Sequence, residues 1–247
     1  MSHFVALNPK QHQSLRVLPN KVAETGANDQ HVPVVLSEFN QLIVQYPIVF
    51  TRNLATDQFV CSAMLGFEKG ENLFWETDHW DGLYIPAQIE RQPFYIGQSE
   101  EKADEEEQHL VCLDTDSDVL SETEGEPLFD EKGQPTELMS DKQEVLALLL
   151  EGEPQTRNFI KALTSLDLLK PISLEITLAD NSTRNVNGLY TIDEDKLSKL
   201  CGETVAMLHE KGFLAPAYTL LASHAHVYSL IERKNARVSQ KNTQQAD

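Results

Sequence analysis

Asp78-His79-Trp80-Asp81 sets an imidazole between carboxylates inside an aromatic stretch. A neighbouring carboxylate strengthens a histidine's hold on its proton and can poise it for general acid–base work. His79 with Asp78 or Asp81 is therefore the candidate catalytic group, weighed against ordinary turn and cap bonding in a polar loop. A second kind of chemistry surrounds it. Trp75, Trp80, Tyr84 and Tyr95 each join a rigid apolar ring to a polar edge, and Arg91 adds a planar fork of donors. Such residues build binding hot spots and ligand pockets. These five form the candidate ligand- or partner-binding set.

Other constellations fail on spacing. Asp114-x-Asp116-x-Asp118 opens like a calcium loop, but Val119 and Gly125 stand where the sharp-turn glycine and the bidentate glutamate belong. His224-x-His226 lies in a helical stretch, where a two-residue step separates the rings, whereas a helical metal pair needs i, i+4. Cys61, Cys112 and Cys201 show no CxxC spacing, and Cys61 and Cys201 both sit among apolar neighbours that suggest core thiols. No GxSxG, P-loop or GxGxxG is present. The expectation is a chain without metal or cofactor, and more a binder than an enzyme.

Several elements must position these residues. Phe4–Leu7 and Leu15–Leu18 suggest short strands, and Ser37 can cap a helix carrying Phe39, Leu42 and Ile43. Ile48–Phe50, Phe59–Phe67, Leu73–Trp75, Phe94–Ile96 and His109–Leu113 suggest further strands. Asp81 is placed to cap a helical turn through Ala87–Ile89. Ser140 with Gln143 has capping-box spacing and opens a helix to Leu150; Gly152 and Pro154 then interrupt, and a second helix runs from about Gln155 to Leu168. Ile172–Leu178 alternates as a half-buried strand, turning at Asp180-Asn181 to a partner around Arg184–Tyr190. One helix is expected from Asp193 to Lys211 with Gly212 beyond it, and another from Pro216 to about Arg233.

Strands in runs, with helices mostly later, imply an α+β fold: a mixed or antiparallel sheet with C-terminal helices packed against it. The expected organisation is a single domain over residues 1–233 and a frayed polar tail over 234–247. An acidic insertion is placed at about 99–108 and an acidic loop at 114–126. Phe39, Phe50, Phe59, Phe67, Phe74 and Phe94 are assigned to the core.

Charge narrows the function classes. The net charge is −19, and residues 100–131 hold 14 acidic groups against 1 basic one. Without clustered Lys and Arg, phosphate neutralisation fails, so nucleic acid is excluded as a partner. No apolar run reaches the roughly 18 residues of a membrane span. The N-terminus lacks the pattern of a secretory signal and the cysteines lack a framework, so a cytoplasmic location is expected. Deleting residues 100–107 is expected to leave the melting temperature nearly unchanged.

Leu36-Ser37-Glu38-Phe39 leading to Tyr46-Pro47-Ile48-Val49-Phe50 resembles the N-terminal signature of bacterial SapC-like proteins. So do Leu65-Gly66-Phe67, Glu71-Asn72-Leu73-Phe74, and Tyr84-Ile85-Pro86 running to Arg91-Gln92-Pro93-Phe94. Leu128-Phe129-Asp130, Gly188-Leu189-Tyr190 and Ile192-Asp193 extend the resemblance across about residues 1–233. Gln92 stands where a second basic residue is expected, so a paired-arginine site is not implied. The resemblance implies a largely uncharacterised family named for a surface layer. It also implies protein partners of the halogenase-like or nutrient-uptake type, or a small metabolite. It supplies no catalytic residues. The leading expectation is a non-enzymatic accessory protein that binds through the Trp75–Arg91 region. Its rivals are an enzyme using His79 and a surface-layer component.

Overall fold

The computed structural model describes residues 3–53, 55–98 and 109–244. The insertion at 99–108, and with it the deletion of 100–107, lies outside the described residues. The main sheet has five antiparallel strands in the order β12-β13-β4-β5-β3. They are β3 (His31–Pro33), β4 (Ile48–Arg52), β5 (Phe59–Met64), β12 (Leu169–Thr177) and β13 (Thr183–Ile192). Its strands send Ile48, Phe50, Cys61, Ala63, Ile176, Val186 and Leu189 into the core. A smaller sheet joins β1 (Phe4–Ala6), β9 (His109–Asp114) and β8 (Phe94–Gln98). β8 and β9 pair antiparallel. This is an α+β fold with antiparallel sheets and C-terminal helices against them.

Helix α4 (Glu137–Ser165) differs most from expectation. It is one 29-residue helix, not two, and Thr136 rather than Ser140 caps it, accepting from Met139 N at 3.4 Å. A proline inside a helix loses a backbone bond and costs about 3 kcal/mol. Tertiary contacts override that cost here. Gly152 brings the helix so close to the turn before α2 (Phe39–Leu42) that a Cβ would sit 2.8 Å from Val35. Thr156 bridges the two, donating to Gly152 O at 2.7 Å and accepting from Leu36 N at 2.9 Å. The helix thus spans two cores, with Met139 and Leu146 in the smaller and Phe159 and Leu163 in the larger.

The acidic stretch 114–126 is partly built into the structure. Val119 is buried, and β10 (Leu120–Ser121) and β11 (Glu126–Pro127) both pair with β2 (Arg16–Val17). Gly125 permits this with φ +93°, since a Cβ there would meet Val17 O at 2.3 Å. The alternating strand and its partner form as expected, turning through Asn181 at φ 62°. The single helix expected over Asp193–Lys211 is two: α5 (Glu194–Ser198), capped by Asp193, and α6 (Gly202–Glu210). Cys201 sits at the break, exposed, so it is not a core thiol. Helix α7 (Leu214–Ser223) is followed by a 3-10 turn at His224–His226 and then α8 (Val227–Gln244). The stretch expected to fray from Lys234 is helical through Gln244, because side chains on one face of α8 are tied to the sheet edge and the loops beside it.

Candidate functional site

The aromatic segment divides into a buried lock and an open cleft. In the lock, Glu38 lies wholly buried. Its Oε2 accepts from Val35 N at 2.9 Å, closing the turn that Ser37 was expected to cap. Its Oε1 accepts from Ala87 N at 2.8 Å and from the Tyr84 hydroxyl at 2.9 Å. Burial pushes the Glu38 carboxyl up, against the downward pull of these three donors. Trp80 is buried too, stacked on Phe74 at 6.3 Å and donating to the Tyr46 hydroxyl at 3.0 Å. The Tyr46 hydroxyl donates onward to Tyr84 O. Burial raises the Tyr46 phenol to about 12 and pushes Tyr84 higher still, so both phenols stay protonated at neutral pH.

Arg91 and Tyr95 occupy a different place. The guanidinium donates to Gln88 Oε1 and Phe94 O and lies 4.0 Å from the Tyr95 ring centroid. Tyr95 donates to Gln92 Oε1 and meets Phe4 edge-on. The expected surface of Trp80, Tyr84 and Arg91 therefore does not form as one patch. Trp80 is internal, Tyr84 is spent on Glu38, and Arg91 is committed to its own turn. Of the six phenylalanines assigned to the core, five are buried and Phe59 is half-buried against Tyr190.

His79 opens β7 (His79–Trp80), which pairs with β6 (Trp75–Glu76) in a tight hairpin. Its ring contacts Asp78 Oδ1 at 3.1 Å and is 64% exposed. Asp81 caps no helix: α3 (Ala87–Glu90) starts after Pro86, and Asp81 accepts from Arg233 at 2.6 Å. The imidazole faces solvent from its hairpin, and Asp81 is turned toward α8. The other histidine pair is separated as well. His224 Nε2 faces Thr191 at 3.3 Å while His226 Nε2 donates to Ile43 O.

Trp75, of the expected set, lines an opening. A cleft of about 370 Å³ lies between the Glu68–Asn72 loop, the Ala27-Asn28 segment and α8. Gly66 makes the loop possible, since a Cβ there would fall 2.4 Å from Glu71 O. Lys234 projects from α8 into the wall and is almost wholly buried, donating to Glu68 Oε2 at 2.7 Å and to Glu71 Oε1. Arg184 pairs with the other Glu68 oxygen, and Phe67 N donates to Glu71 Oε2 at 3.0 Å. Burial works against the Lys234 charge, but the two carboxylates outweigh it and hold the amine above its ordinary value. The Lys234 hydrogen bond likewise holds Glu68 below the usual carboxylate range. Arg237 donates to Trp75 O and lies 3.6 Å from Glu76.

Lys234 and Arg237 fall in the stretch expected to fray. The available signal was their spacing: Arg233, Lys234 and Arg237 share one helical face in a chain otherwise rich in acid.

The sequence profile of the SapC family matches residues 7–230. The chain belongs to the SapC family. Comparison with curated proteins finds no match, and neither does comparison with solved structures. Four of the signature residues of this SapC chain lie in the lock: Glu38, Tyr46, Phe74 and Tyr84. No helix among the described residues is long and apolar enough to cross a membrane.

Proposed function

We propose that this SapC-family chain is a binding protein without catalytic chemistry of its own, which takes a small metabolite into the cleft beside Trp75. The observation that carries the reading is a half-buried indole set next to a locked ion-pair cluster, at the mouth of a 370 Å³ cleft. The cleft's volume falls within the usual range of small-molecule pockets, and Trp75 and Val238 supply apolar surface beside its polar groups. The chemistry of the wall argues against catalysis. A lysine held above its ordinary pKa is a poor nucleophile or base at neutral pH. The unpaired thiols suit a reducing, cytoplasmic compartment, which cell fractionation tests.

A metabolite screen by thermal shift tests the function. A ligand at about one hundred times its dissociation constant adds about 2.7 kcal/mol, which for a chain of this size raises the midpoint by roughly 5–10 °C. The expected hits lose that shift in Trp75→Ala. Hits that shift both proteins equally, or no hits at all, overturn the reading. Co-purification with a partner that is lost on Leu83→Asp would move the function to a protein partner, since Leu83 projects 84% exposed from the loop before Tyr84.

A further inference from the structure

We propose that the ligand of this cleft is an anion, a carboxylate or similar group carried on a flat or branched apolar body. The inference rests on the reading of the cleft as a small-molecule site and adds the ligand's charge. The chain as a whole is strongly acidic at −19, which by itself would favour cations. Charges farther off than the Debye length of about 8 Å are screened, however, so the groups in the wall decide.

In the wall the acids are already used. Glu68 gives one oxygen to Lys234 and the other to Arg184. Glu71 gives one to Lys234 and the other to Phe67 N. A cationic ligand entering here meets no open carboxylate among these residues. The donors are not used to the same degree. Lys69 and Asn28 line the cleft, and among the described residues neither side chain has a hydrogen-bond or ion-pair partner. Arg237 uses one nitrogen, Nη2, for both Trp75 O and Glu76, the latter at 3.6 Å, and among the described residues its other two nitrogens meet no acceptor. What remains open is positive charge and N–H, beside the Trp75 ring and Val238. An anion gains charge-assisted hydrogen bonds there while its apolar body covers the indole.

Three probes of nearly equal size separate the alternatives in ligand-detected NMR titrations: phenylacetate, 2-phenylethanol and phenylethylamine. Phenylacetate is expected to bind about tenfold more tightly than phenylethylamine, the value of one charge-assisted bond of about 1.4 kcal/mol. Lys69→Glu should remove that preference. Lys69 is exposed and unpaired, so this variant is expected to fold as the wild type does. If all three probes bind equally and Trp75→Ala abolishes all of them, the cleft is a binding site and the anion inference is overturned. If none binds, or binding survives Trp75→Ala unchanged, both the inference and the binding function fall.

Discussion

Glu38 offers the sharpest test of how this molecule is held together. Its carboxylate satisfies three buried donors: Val35 N, Ala87 N and the Tyr84 hydroxyl. Each buried donor left without an acceptor costs about 1–3 kcal/mol. Glu38→Ala orphans all three, while removing a buried charge returns part of the loss, so a net cost of about 3–5 kcal/mol is expected. Glu38→Gln keeps one acceptor oxygen for Tyr84 and Ala87 but turns an amide donor toward Val35 N. Its expected cost is about 2 kcal/mol. Urea unfolding measures both against a total stability of about 5–15 kcal/mol.

The pH dependence has a definite sign. Burial raises the folded-state pKa of Glu38 above its unfolded value. The native state therefore binds the proton more tightly, and wild-type stability from this group falls as pH rises from the ordinary glutamate value through the raised one. Glutamine does not titrate, so the deficit of Glu38→Gln should shrink as pH rises from the ordinary glutamate value toward the raised one. A deficit below about 1 kcal/mol for Glu38→Ala would refute the three-donor account. A Glu38→Gln deficit that grows with pH would refute the burial argument.

Two further outcomes are expected. Gly66→Ala places a Cβ 2.4 Å from Glu71 O, so the loop must shift; a loss of about 1–3 kcal/mol in urea unfolding is expected, and an unchanged midpoint would contradict the close approach. Cys201 should alkylate in the native protein, its thiol exposed and held below the ordinary value by the Thr204 hydroxyl and nearby backbone N–H groups. Burial pushes the Cys61 thiol up and shields it, so mass spectrometry should find Cys61 modified only after unfolding.

Where a segment's own pattern settled its structure, the sequence was legible. The alternation of Ile172–Leu178 marks β12, and Gly212 adopts φ +71° after α6. Misreadings came where a distant partner outweighed local chemistry. Pro154 signals a break, yet α4 continues because Gly152 and Thr156 lock it to the turn at Val35 and Leu36. Asp81 has cap chemistry but is drawn to Arg233, 152 residues away in the chain.

The candidate site follows the same division. Family, fold class and the aromatic core were set by the sequence itself, because periodicity and signature residues act through near neighbours. Whether an aromatic is lock or wall depends on what α8 and the Glu38 turn bring to it. Trp75 and Trp80 stand opposite each other in one hairpin, similar in type and spacing. Only the tertiary structure buries Trp80 against Phe74 and Tyr46 and leaves Trp75 at the cleft with Lys234 and Arg237. The reason is physical: burial and charge pairing depend on all the groups that converge in space, and here those come from opposite ends of the chain.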